Sequence, residues 1–177
     1  MTSSNPWYEC IEGHCVLEQG DILFSIPILV PIEDSSTGEP TVNEEEYDGI
    51  IISQSCDLQN EKIDIVLFCP FYPLNDIAPR LAGSNKADNI KSVKNRIRKG
   101  EYVHYHLLNK CELEGYSHDY LVVDLKNPRS ISLERIKNIA EAKSKRLRLL
   151  SPYREHLSQA FARVFMRVGL PIDIPEF

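Results

Sequence analysis

The segment DGIIISQSCDLQNEKIDIVLFCPF, residues 48–71, contains two apolar runs separated by a short polar loop. Residues 49–54 and 62–69 are rich in Val and Ile, which suit the pleated surface of a β-sheet. The loop from Ser55 to Glu61 is short enough to join two neighbouring strands as a hairpin. An antiparallel β unit therefore constrains the fold more than any other feature of the chain.

Two later segments have helical periodicity. In residues 84–100 apolar side chains recur at spacings of three and four and Gly100 follows the last of them, which predicts a helix over about residues 85–99. A second amphipathic helix is predicted over residues 151–168, ending before Gly169. The alternating segments EYVHYHLL and YLVVDL are typical of further strands. Together these patterns predict an α+β fold.

Composition favours one globular domain that spans all 177 residues, with 42% hydrophobic and 26% charged residues. No apolar run approaches the length of a membrane span, and the start MTSSNPWYEC lacks the pattern of a signal peptide. We therefore expect a cytoplasmic protein with no membrane partner. The five cysteines are odd in number and irregularly spaced, which indicates reduced thiols.

Acidic and basic residues are divided unevenly along the chain. Residues 1–75 contain 14 acidic side chains and one basic side chain, Lys62, whereas the remainder contains 19 basic and 12 acidic ones. One interpretation is that the two halves attract each other across the fold or across a contact between two copies, which would make a homo-oligomer. The other interpretation is a basic face that binds nucleic acid or another acidic partner.

The β-rich part of the chain resembles a known family. A GDI turn (Gly20 to Ile22), a strand, an acidic insertion, a strand ending in IISQ (Ile51 to Gln54) and the strand IVLFCPF (Ile65 to Phe71) resemble the PemK/MazF toxins over about residues 16–72. The resemblance implies an SH3-like small antiparallel β-barrel with its core in residues 16–125. In this chain a basic helix would be inserted in the barrel, and the C-terminal helix would pack on it.

The resemblance also bears on activity. Members of the family cut RNA, usually with an arginine before the second strand and a Ser or Thr at that strand's end, where Ser53 lies in this chain. Tyr47, Asp48 and Gly49 occupy the place of the arginine. A carboxylate there would repel the scissile phosphate and could not stabilise the charge that grows on it. The resemblance therefore supports the barrel more than the ribonuclease activity.

Cys56 is the first candidate for catalysis, with Asp57 beside it and His104 or His106 on a later strand. A thiol is nucleophilic only as the thiolate, so it needs a base or a positive neighbour, which a histidine can supply. Asp57 has the opposite effect, because a neighbouring carboxylate raises the pKa of a thiol. The alternative is a structural loop in which Ser55 and Asp57 form hydrogen bonds with their own backbone.

Zinc binding is a second hypothesis. Thiolates and imidazole suit this ion, and Cys10, His14, Cys15 and Cys56 would make a four-ligand set. However, the first two cysteines are separated by four residues and not by the two of a zinc knuckle, and the other ligands are scattered. The leading interpretation therefore includes no metal and no cofactor.

Nucleic-acid binding is a third hypothesis. Lysine and arginine side chains on the predicted helix would neutralise backbone phosphates, and tyrosine rings would stack on bases. The alternative is a solvated basic face on a helix that packs its apolar stripe on the core. The candidate nucleic-acid-binding residues are Lys91, Lys94, Arg96, Arg98, Lys99 and Tyr102.

These observations favour a non-catalytic binding or assembly component of a bacterial toxin-antitoxin or phage-defence system. It would contact another protein, or RNA or DNA, through the rim of the barrel and the basic helix. The first alternative is an endoribonuclease of the PemK/MazF type with an altered active site drawn from Ser53, Cys56, Asp57, His104 and His106. The second alternative is a zinc-stabilised interaction module.

Overall fold

The computed structural model describes residues 6–166, which contain eight strands and five helices. The strands are β1 (Tyr8–Glu12), β2 (Asp21–Glu33), β3 (Pro40–Ile51), β4 (Ile65–Pro73), β5 (Tyr105–Leu108), β6 (Leu121–Asp124), β7 (Arg129–Ser132) and β8 (Lys145–Leu149). The helices are α1 (Ser55–Gln59), α2 (Leu74–Ala82), α3 (Ala87–Arg98), α4 (Leu133–Ala142) and α5 (Tyr153–Phe165). No helix within residues 6–166 combines the length and apolar character needed to cross a bilayer.

The eight strands form one sheet in which neighbouring strands are antiparallel. Its order is β1-β8-β2-β3-β4-β6-β5, and β7 pairs with the first part of β4. β1 and β5 lie at the two ends of this order and do not pair with each other, so the sheet is not closed within the described residues. The predicted α+β class with a mostly antiparallel sheet is confirmed, whereas closure into a barrel is not.

β2 and β3 form a long hairpin, and its distal part extends beyond the rest of the sheet. The pairing continues from Ile26 opposite Tyr47 to Glu33 opposite Pro40. The acidic segment over residues 33–49 has the composition of a surface loop, but most of it is strand β3. Its pairing with the apolar strand β2 provides ladder hydrogen bonds that the local sequence of β3 does not indicate.

The two faces of the sheet are buried under different helices. Because successive strand residues point to opposite faces, Ile50 packs in a cluster with α5, whereas Ile51 packs in a cluster with α1 and α4. A third cluster joins α2 and α3 to the sheet at Val122 of β6. α4 and α5 therefore lie on opposite faces of the sheet.

The helices match the sequence patterns to different degrees. α3 agrees with the predicted helix over residues 85–99, and it ends where Gly100 adopts a left-handed φ of 71°. α5 begins as expected, and the predicted end near residue 168 lies outside the described residues. The connection between the two runs of residues 48–71, expected as a hairpin loop, forms the short helix α1.

A buried ion pair joins the acidic N-terminal half to the basic C-terminal half. Asp21, at the start of β2, accepts hydrogen bonds from Arg146 and Arg148 on β8. Arg148 and Arg154 also form ion pairs with Glu18. These contacts favour the interpretation that the two oppositely charged halves attract each other across the fold.

Candidate nucleic-acid interface

The predicted reactive loop lies around the start of α1, just after β3. The Ser53 hydroxyl accepts a hydrogen bond from the Leu67 backbone N–H at 2.9 Å. Cys56 is exposed, and its Sγ lies 3.7 Å from Gln54 Oε1 and 3.6 Å from Asp57 Oδ1. An amide oxygen and a carboxylate do not stabilise a thiolate. The contacts of the loop therefore favour its structural interpretation.

The histidines proposed as partners of Cys56 lie elsewhere in the sheet. His106 is on β5 and His104 is in the turn immediately before it. Strands β4 and β6 lie between β3 and β5, so three strand spacings of about 4.8 Å separate β3, which Cys56 follows, from β5. The structure does not bring Cys56 and these histidines together.

The four proposed zinc ligands do not form a ligand set. Within residues 6–166, no group of three or more His, Cys, Asp or Glu side chains has a geometry that could hold a metal ion. Cys10 is exposed on β1, where it pairs with Leu147, and Cys56 is exposed on α1. Cys10 and Cys56 thus lie on separate elements of secondary structure and do not share a site.

The basic side chains of α3 divide into two groups. Lys94 donates to the Asn75 side-chain oxygen at 2.6 Å, and Arg96 donates to the Glu101 carboxylate at 3.1 Å. These two cations are therefore partly engaged within the protein. The other candidates are exposed and form no ion pair with a described residue: Lys91, Arg98 and Lys99.

A cleft lies between α5 and the chain that connects α3 to β5. Its volume is about 360 Å³. We call it the histidine cleft, because each of its two walls contributes a histidine. Polar side chains line both walls: Tyr102, Tyr105 and His106 on one side, and His156, Gln159 and Arg163 of α5 on the other.

His106 supplies a neutral hydrogen-bonding group in the cleft. Burial of the ring, and secondarily the nearby His156, lower the pKa of His106 to about 4. Its Nε2 atom is shielded from solvent and has no hydrogen-bond partner among the described residues. At neutral pH His106 is therefore uncharged, and Arg163 provides positive charge on the opposite wall.

Tyr102 and Arg96 form a stacked pair beside the cleft. The guanidinium carbon of Arg96 lies 4.6 Å from the centroid of the Tyr102 ring, and Arg96 Nη1 donates to the Tyr102 hydroxyl at 3.3 Å. Tyr102 also contacts the edge of Tyr105, with centroids 6.3 Å apart. Tyrosine rings and arginine guanidinium planes are the surfaces on which unpaired bases stack.

The second wall of the cleft corresponds to a pattern that is visible in the chain. His156, Gln159 and Arg163 recur at spacings of three and four on the polar side of the predicted C-terminal helix. That spacing places them on one helix face. It does not reveal that this face lies opposite β5, since the contact joins distant parts of the chain.

An arginine also contacts Tyr47, one of the three residues that take the place of the toxins' arginine in the sequence resemblance. The guanidinium carbon of Arg129, on β7, is 4.9 Å from the centroid of the Tyr47 ring, and its Nη2 donates to the Tyr47 hydroxyl at 3.1 Å. The Tyr47 hydroxyl in turn donates to Glu45, and this hydrogen bond raises the pKa of Tyr47. The ring and the hydroxyl of Tyr47 thus both contact Arg129 at the base of the β2–β3 hairpin.

Chemically, the histidine cleft combines a cation, two imidazoles, a carboxamide and two phenols. Such a set can hold a phosphate group by hydrogen bonds and can contact a base through its rings. Comparison of the chain with protein-family models gave no match, and comparison with curated proteins gave none.

Proposed function

We propose that the protein is a non-catalytic binding component that holds single-stranded nucleic acid in the histidine cleft and along α3. The observation that carries the proposal is the Arg96–Tyr102 stack beside a cleft that contains Arg163 and two histidines. In this proposal Tyr102 and Arg96 contact bases, while Arg98 and Lys99 contact phosphates.

The proposal places this component in a bacterial assembly of the toxin-antitoxin or phage-defence type, with a second protein as a further partner. It also includes descent of the β2–β4 segment from an SH3-like barrel. The support for that descent is the GDI turn at Gly20 to Ile22 and the antiparallel pairing of three consecutive strands.

Binding of a labelled single strand of about 20 nucleotides, measured by fluorescence anisotropy across a salt series, tests the proposal. The affinity should fall steeply with salt. Arg98→Gln and Lys99→Gln should each reduce the salt slope by about 0.7, because each removes one charge that neutralises a phosphate. Tyr102→Ala should weaken binding with little change in this slope, because stacking releases few counterions.

Lys137→Gln is the matched control. Lys137 lies on α4, which is on the face of the sheet opposite to α5 and packs in a different cluster from α3. Its ammonium forms an ion pair with Glu61 at 2.5 Å. Loss of this charge should leave both affinity and salt slope unchanged. Absence of binding at low salt, or equal effects of Lys137→Gln and Arg98→Gln, would reject the proposed interface.

A second candidate function is a metal-independent endoribonuclease whose working groups lie in the histidine cleft. The observation that favours it is that His106 and His156 line one cavity together with Arg163. One imidazole would accept the proton of the attacking 2′-hydroxyl and the other would protonate the leaving 5′-oxygen. Arg163 would stabilise the charge that develops on the phosphoryl oxygens.

Incubation of mixed RNA with the protein in excess chelator tests this candidate. Cleavage should be lost in His106→Ala and in His156→Ala, and it should persist in Cys56→Ser, because Cys56 lies outside the cleft. Intact RNA after incubation with the native protein would reject the activity. Cleavage that disappears in Cys56→Ser would assign it instead to the polar loop.

A further inference from the structure

The distal part of the β2–β3 hairpin has two edges with no neighbouring strand. We call this part the arm, and it comprises residues 27–33 of β2 and 40–46 of β3. β2 pairs with β8 only at Asp21 and Ile22, and β3 pairs with β4 only from Gly49 to Ile51. Within residues 6–166 the backbone along both outer edges of the arm is therefore unpaired by any strand.

Two prolines block the outer edge of β2. Pro27 pairs with Glu46 and Pro31 pairs with Val42. Since proline has no N–H, neither pair can exchange two hydrogen bonds across the hairpin, so both belong to the alternate pairs whose backbone groups point outward. The N–H groups that another strand would need at these positions of β2 are missing.

The same register leaves the outer edge of β3 able to accept a strand. Val42 and Glu46, opposite the prolines, and Glu44, midway between them, point their N–H and C=O groups outward. None of these three residues is a proline, and all three are exposed. The arm thus presents one blocked edge and one edge with regularly spaced donors and acceptors.

The negative charge of β3 determines which kind of added strand its outer edge would bind. Glu44 and Glu46 project on the same face as the exposed apolar side chains of Leu29 and Val42, and Glu45 lies between them on the other face. Antiparallel pairing of this edge with that of a second copy would place these glutamates against each other, which is unfavourable. A strand with basic side chains would be attracted, chiefly by Glu46, because Glu44 already forms an exposed ion pair with Arg135 at 3.7 Å.

We propose that the outer edge of β3 from Val42 to Glu46 is a docking site for an extended, basic segment of another protein, which adds to the hairpin as a third strand. Backbone hydrogen bonds to Val42, Glu44 and Glu46 provide affinity, and ion pairs with the glutamates provide selectivity. Alternate apolar residues of the segment would cover Leu29 and Val42. This site is independent of the histidine cleft.

A synthetic peptide of alternating lysine and valine is the probe, and its affinity is measured by calorimetry at low ionic strength. Val42→Pro removes one outward N–H without removing a hydrogen bond of the hairpin, whereas Val42→Thr keeps that N–H. Val42→Pro should bind the peptide about tenfold more weakly than Val42→Thr, which is the scale of one hydrogen bond. A glutamate–valine peptide should not bind.

Hydrogen exchange on the native protein gives a second measurement that does not depend on a variant's folding. Saturation with the lysine–valine peptide should slow exchange of the amides of Val42, Glu44 and Glu46, and should leave that of Leu29 unchanged. Equal peptide affinity of the two Val42 variants without amide protection would show attraction by charge alone and overturn the proposal. No peptide binding, or self-association through β3, would also overturn it.

Discussion

The Asp21 carboxylate accepts a hydrogen bond of 2.9 Å from Arg146 Nε, and both side chains are essentially inaccessible to solvent. Arg146 also donates to the backbone carbonyls of Gly13 at 2.6 Å and Cys15 at 2.7 Å. A single guanidinium therefore fastens the connection between β1 and β2 to the sheet. Because the charge of Arg146 is balanced by Asp21, neither group is buried as an isolated ion.

Replacement of one member of this pair should strongly destabilise the fold. In Arg146→Met the Asp21 carboxylate keeps only Arg148 as its ion-pair partner, and the carbonyls of Gly13 and Cys15 lose their hydrogen-bond donor. We therefore expect the free energy of unfolding to fall by about 3–5 kcal/mol. Urea denaturation followed by circular dichroism measures this change.

The exposed ion pair between Lys145 of β8 and Glu12 of β1 is the matched control. Lys145 is next to Arg146 in the chain, and it is paired with Glu12 across the two strands. Its atoms lie 3.5 Å apart and both side chains are about half exposed. Lys145→Met should change the free energy of unfolding by less than about 1 kcal/mol, because solvent screens the pair. Losses of similar size for Arg146→Met and Lys145→Met would contradict the structural role of the buried pair.

A side chain at Gly49 should also destabilise the protein. A Cβ atom at this position would lie 2.3 Å from Cδ2 of Phe68, which is completely buried on the neighbouring strand. Gly49→Ala should therefore cost about 1–3 kcal/mol through overpacking, as measured by thermal or urea unfolding. Gly49→Ala combined with Phe68→Leu should lose less stability than the two single changes added together.

Local patterns account for the parts of the fold that could be predicted. The spacing of apolar residues and Gly100 are sufficient to locate α3. Strand β3 has no such local signal, because its acidic residues are typical of a loop and its stability depends on β2. Arg146 is 125 positions from Asp21, so no local signal joins them.

The candidate site is predictable only in pieces, for the same reason. Composition indicates Tyr102 and the basic residues of α3, and spacing indicates the polar stripe of α5. Tyr102 and the polar stripe of α5 line one cleft because α5 packs against the face of the sheet on which His106 of β5 projects. Cys56 does not pair with a histidine because strand order separates them.

The accessibility of the five cysteines should set the order of their modification. Cys10 and Cys56 are exposed, whereas Cys69 and Cys111 are buried. Burial, and secondarily Asp124, raise the pKa of Cys69 to about 12. Labelling of the native protein with a maleimide, followed by peptide mass mapping, should modify Cys10 and Cys56 first. Early modification of Cys69 would show that β4 opens in the native state.

The low pKa of His106 should make the fold less stable in mild acid. Its pKa is about 4 in the folded protein, against 6.5 for an unperturbed histidine, so the unfolded chain binds a proton more readily. The contribution of His106 to the free energy of unfolding is fully present above about pH 6.5. It is lost progressively as the pH falls towards about 4, by up to roughly 3 kcal/mol. Urea unfolding at a series of pH values measures this loss.

His106→Gln isolates the contribution of the imidazole, because glutamine cannot take up this proton and keeps a polar group of similar size. Between about pH 7 and 4.5 the free energy of unfolding should therefore fall more for the native protein than for His106→Gln, while carboxylate titration affects both proteins equally. Parallel pH profiles for the two proteins would show that the His106 ring is solvated, and that the wall of the cleft is open to water there.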